Sequence, residues 1–161
     1  MKLKVFVLSI ILLTTGCSLL VAQDVADLIK QGRMMLEQNK TDSAVACFEK
    51  VLELDAKNYD ALVFLCNYHF LVGKMELDKI ETLYLTHESP TRMQVARYNE
   101  DLKNIYDSYF SKAEKYLIEA YLIRRNDHLD EVAGQIVDFK DRIGIRTPSN
   151  KKFGFIKKLL P

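Results

Sequence analysis

Apolar residues recur at three- and four-residue intervals from Asp24 to Ile143, and no stretch alternates apolar and polar with period two. The first spacing lines one face of a helix; the second would mark a half-buried strand, so the regular structure of this chain should be helical. Composition agrees, because 6 Gly and 3 Pro in 161 residues leave few helix breakers, and 48% hydrophobic with 28% charged residues is a globular balance. Leu28, Met35 and Leu36 share a face of a first helix, with Gly32 between them. Asp42 is the expected N-cap of a second, with Ala44, Cys47, Phe48, Val51 and Leu52 inward. Asn58 is the expected cap of a third, with Leu62, Leu65, Cys66 and His69 inward.

Spacing adds a stronger constraint. Leu28, Gly32 and Met35 recur 34 residues later as Leu62, Cys66 and His69. Ala44, Phe48 and Val51 follow the first set; Ala113, Leu117 and Ala120, with Phe110 before them, repeat that second pattern. Small residues at such positions let antiparallel helices approach, and Gly32 is expected to face Ala44. This pattern resembles the tetratricopeptide repeat. The resemblance implies an all-α fold of antiparallel helical hairpins, stacked as a short tetratricopeptide-like right-handed superhelix with a C-terminal capping helix, because one hairpin alone leaves an apolar face wet.

The middle departs from the motif. Adding 34 to Ala44 gives Asp78, and Ala113 lies a further 35 residues on, almost one whole repeat. Pro90 stands where the family places its repeat-ending proline, with Ser89 the expected cap and Pro90 in the first turn. The reading is three hairpins, about 24–57, 58–91 and 92–126, then a cap helix over 127–143. Leu77, Ile80, Leu83 and Tyr84 would form the second hairpin's returning helix. Val95, Tyr98, Leu102, Ile105 and Tyr106 would form the third hairpin's first. The alternative is one long helix over 90–125, and a break at Asp107-Ser108, the favoured reading, separates the two.

Residues 1–23 read as an export signal: Lys2 and Lys4, the apolar run Val5 to Leu13, then small residues. The run is short of the roughly 20 apolar residues of a membrane span. Two processing routes fit. Thr15-Gly16-Cys17-Ser18 resembles the lipobox of bacterial lipoproteins, whose cysteine is acylated, although Thr14 stands where that motif has Leu. The apolar residues continuing to Ala22 favour ordinary cleavage near Gln23. Either route puts the chain in the periplasm or at the outer membrane and cell envelope. Beyond the signal, residues 23–139 hold 14 Lys and Arg against 21 Asp and Glu, a net of −7, while 140–161 hold 7 against 1, a net of +6. An acidic body thus carries a basic tail, 144–161. Cys47 and Cys66 lie among apolar neighbours and read as small buried hydrophobes rather than a disulfide.

No constellation for catalysis stands out. His69, His87 and His128 have no metal-ligand spacing, and neither a phosphate-cradling glycine loop nor a nucleophile elbow occurs. The expectation is no enzyme, no cofactor, no metal and no nucleic-acid partner. The resemblance implies instead a groove lined by first helices: Lys30, Arg33 and Glu37 in the first repeat, Phe64, Asn67 and Phe70 with Val63 and Leu71 in the second. Some family members clamp a partner's terminal carboxylate there with Lys and Asn. Arg33 and Phe64 occupy those asparagine positions, so this chain lacks the clamp. Leu28, Gly32, Met35, Ala44, Phe48, Leu62, Leu65, Cys66, Ala113, Leu117 and Ala120 are the expected packing residues. The expected partner is a protein or peptide, with self-association through an array end a second route. In the tail, Lys151, Lys152, Lys157 and Lys158 interleave with Phe153, Phe155, Ile156, Leu159 and Leu160. Residues 151–160 suit contact with an anionic membrane surface or with the acidic body.

Overall fold

The computed structural model describes residues 22–85 and 89–145. The export signal up to Val21, Cys17 within it, His87 and the tail beyond Ile145 lie outside the described residues. Helix α1 covers 22–37. It is followed by α2 (Thr41–Leu54), α3 (Tyr59–Leu85), α4 (Arg92–Ile105), a π-helical turn (Tyr106–Phe110), α5 (Ser111–Ile123) and α6 (Asp127–Arg142). The fold is an all-α helical stack, with no strand among the described residues.

Local chemistry fixes the helix ends. Asn39 adopts φ +58°, and Lys40 N donates to Met35 O at 2.8 Å, so α1 closes in a left-handed cap that frees the chain to double back. Lys40, not Asp42, is the N-cap of α2; Asp42 sits in the first turn, where its charge suits the helix dipole. Asn58 caps α3 by accepting from Ala61 N at 3.2 Å. The cap of α4 is Thr91 rather than Ser89, because Thr91 alone completes a reciprocal box: Gln94 N donates to its hydroxyl, and Thr91 N donates to the Gln94 side chain. Asn126 caps α6, and Gly144 at φ +68° ends it.

The chain divides into two compact units between Ala61 and Leu62. In the first, α1 and α2 form a hairpin in which Ala44, Cys47, Phe48 and Val51 are buried and Leu28 and Met35 half-buried. The neighbour of Gly32 is the Phe48 ring rather than Ala44: a Cβ on Gly32 would lie 2.9 Å from Phe48 Cε2. The small residue therefore makes room for an aromatic side chain.

In the second unit the hairpins expected over 58–91 and 92–126 are replaced by one longer hairpin. Residues 58–91 do not double back, because α3 runs on for 27 residues. Its one candidate breaker, Gly73, is spent on close approach: a Cβ there would lie 3.1 Å from both Phe110 Cζ and Tyr109 Cβ. Residues 92–123 do not break at Asp107-Ser108 either; Ile105, Tyr106, Phe110 and Ser111 all keep right-handed helical angles through the junctions. The rod lies antiparallel to α3, since Tyr84 meets Tyr98, Phe70 meets Phe110 and His69 meets Tyr116. The 35-residue excess is thus an elongation of both limbs. The π turn lies within the buried row of the rod: Leu102, Ile105, Tyr106, Phe110, Ala113, Leu117 and Ala120 all face inward. A π turn holds one residue more than an α turn, and here Asp107 and Ser108 take its exposed side.

Candidate functional site

The residues proposed for a partner groove divide between the units. Lys30, Arg33 and Glu37 are exposed on α1, and Arg33 pairs with Asp60 at 3.2 Å. Phe64 and Asn67 are half-buried on α3. Phe70 is a correction: it is only 6% exposed and packs edge-on against the Phe110 ring, so it serves the core and cannot anchor a partner.

The second unit builds a different surface from α3 and α6. His128 Nε2 and Asn67 Oδ1 are 2.9 Å apart, Lys74 Nζ donates to Gln135 Oε1 at 3.1 Å, and Arg142 Nη1 meets Glu81 Oε1 at 2.5 Å. The partners in the first two rungs are 61 residues apart, and Glu81 and Arg142 keep the same offset. The two helices therefore run parallel, joined by a rung every seven residues. Positions three and four residues from a rung share its face. On α3 these are Leu71 and Asp78; on α6, Glu131 and Asp138, all exposed. Leu71 and Glu131 are 60 residues apart, as are Asp78 and Asp138, so each pair stands within one residue of level across the seam.

The seam therefore combines apolar and acidic character. Leu71 is 58% exposed and Met75 59%, unusual exposure for large apolar side chains one turn apart. Asp78 and Asp138 are like charges at one level of neighbouring helices. Gly134, in the middle of α6, has open space where a Cβ would stand. A mid-helix glycine costs up to about 1 kcal/mol relative to Ala and here has no internal packing reason. Leu71 and the rung residue Asn67 are among the residues the sequence singles out; Met75, Asp78, Glu131, Asp138 and the other rung residues are not. The signal that finds them is the heptad coincidence of 67-74-81 with 128-135-142.

Two other polar clusters are closed. Tyr106 donates to Glu114 Oε2 at 2.5 Å and Lys140 Nζ donates to Glu114 Oε1 at 2.8 Å, with all three residues buried. Burial, then the bond to Glu114, pushes the Tyr106 hydroxyl well above its ordinary pKa, so it stays protonated as a fixed donor. At the far end of α3, a cleft of about 180 Å³ is lined by Glu81, Tyr84, Pro90, Val95 and Tyr98. Its polar atoms are taken: Tyr84 donates to Asp101 at 3.1 Å, and Arg142 donates to the Tyr98 oxygen while pairing with Glu81. No three His, Cys, Asp or Glu side chains converge on a metal-sized site among the described residues. Cys47 and Cys66 are both free thiols, and burial pushes that of Cys66 up to about 12.

No family model and no curated protein matches the chain. Among solved structures, it is similar to a crystal structure of a protein from Bacteroides ovatus ATCC 8483 that is provisionally named a protein binding protein. The TM-score is 0.71 at 29% identity over 74% of this chain. The match spans 58% of the length of that protein.

Proposed function

We propose that this chain is an exported, non-catalytic binding module of the tetratricopeptide type, which captures a protein or peptide along the α3–α6 seam. The observation that carries the reading is the exposed pair Leu71 and Met75 beside a run of carboxylates, on a framework held by three polar rungs. The name of the Bacteroides ovatus protein supports a protein partner in general. The 34-residue recurrence supports the repeat assignment, and Lys2, Lys4 and the run from Val5 to Leu13 support export. A photo-crosslinking residue at position 75 in intact cells should trap a discrete partner that the same residue at the exposed Lys115 of α5 does not. Equal or absent adducts at the two positions would refute the seam as the docking face. N-terminal sequencing of the mature chain tests export, and a Cys17→Ala variant that matures and fractionates normally would exclude a lipid anchor.

A further inference from the structure

We infer that the seam's occupant is a basic, apolar segment, and that the chain supplies one itself: residues 151–160, lying back along α3 and α6 of the same molecule. This rests on the seam being a docking face. The charges complement each other. Asp78, Glu131 and Asp138 line the seam with no basic partner of their own among the described residues, while the segment contributes Lys151, Lys152, Lys157 and Lys158 and no acid. The apolar halves match as well, because Phe153, Phe155, Ile156, Leu159 and Leu160 stand between those lysines and the seam exposes Leu71 and Met75.

Reach is sufficient. The described chain leaves α6 at Ile145, beside the rung of Arg142 and Glu81. The six residues to Lys151 span up to about 20 Å when extended. Asp138 lies roughly 10 Å and Glu131 roughly 20 Å back along α6 from that point, at 1.5 Å per residue. Gly134 lies between those carboxylates, where the missing side chain leaves room for a segment to settle against the helix.

Carbodiimide coupling of the full mature chain tests this, since it joins a lysine amine to a carboxylate only where the two touch. An equal mixture of ordinary and ¹⁵N-labelled protein separates links within a chain from links between chains. The expected result is linkage of Lys151, Lys152, Lys157 or Lys158 to Asp78, Glu131 or Asp138 within one chain. The yield should fall about fivefold at 1 M salt, where screening acts within about 3 Å. Leu71→Ser with Met75→Ser should reduce it too, while leaving α3 folded by circular dichroism, because both side chains are exposed. Equal yields at Glu49 or Glu119, links only between chains, or no links together with binding of the segment to anionic vesicles would each overturn the inference. If the segment does not couple but a residue at position 75 still traps a partner, this inference fails and the proposed function stands.

Discussion

Replacing Lys140 by Met is expected to be costly because its ammonium bonds the buried carboxylate of Glu114. The Lys140 side chain is 4% exposed and that of Glu114 is 11%, and each Glu114 oxygen accepts one bond, from Lys140 or from Tyr106. Methionine keeps the length of the stem but leaves the Glu114 carboxyl out of water with Tyr106 as its remaining donor among the described residues. Breaking a buried pair by removing one member costs about 3–5 kcal/mol. Exchanging the whole group for apolar residues is often neutral, so Tyr106→Phe with Glu114→Leu and Lys140→Met should recover most of the loss, to within about 1–2 kcal/mol of the parent. Urea unfolding followed by circular dichroism at pH 7 measures both, with unchanged slopes as the check that the unfolding transition itself is unaltered. The single variant should also melt about 10 °C lower. A loss below about 1 kcal/mol for Lys140→Met would mean that water reaches the cluster, and the argument for a closed, dry triad behind the π turn would fail.

Three further outcomes follow from other sites. Deleting Ser108 from the exposed side of the π turn should be tolerated, with a melting temperature within a few degrees of the parent, because the remaining four-residue step suits an α-helix; deleting Lys115 from α5 should unfold the second unit. His69 is buried against the rings of Tyr68 and Tyr116, and burial, then the nearby Lys112 charge, holds its pKa below 6.5. The unfolded chain therefore takes up the proton first, so stability should decline as pH falls below about 6.5, and His69→Gln should flatten that part of a melting-temperature profile. Cys66, with its thiol pushed up to about 12, should resist iodoacetamide at pH 8 until denaturant is added, which peptide mapping reads directly.

Helical class is legible because period depends on residues close in sequence, and so is the burial of Ala44, Phe48, Cys66 and Ala113. Cap choice and exact packing partners are not: Lys40 and Thr91 hold the caps expected of Asp42 and Ser89, and Gly32 meets Phe48 rather than Ala44. The middle was misread for an identifiable reason. A stretch nearly one repeat long fits a whole extra hairpin and a pair of lengthened limbs equally well. Only tertiary contact separates them, here Gly73 against Tyr109 and Phe110 and Tyr84 against Tyr98. Asp107-Ser108 marks an irregularity, but it is a wider helical turn rather than a loop. Phe70 was misplaced because an aromatic on a first helix is equally suited to a groove and to a core, and the bulk of Phe110 across the hairpin decides which. The seam itself was hidden because its two rows lie 61 residues apart.

The seven-residue interval of the rungs carries one more consequence. A helix repeats every 3.6 residues, so two helices that hold contact every seven must wind slowly about each other with a left-handed twist. A ligand lying along them follows a curved track bounded by His128 at one end and the Arg142–Glu81 pair at the other, about 21 Å apart at 1.5 Å per residue. For the docking proposed here, that distance would set an upper limit of some four turns of helix, or about six residues of extended chain.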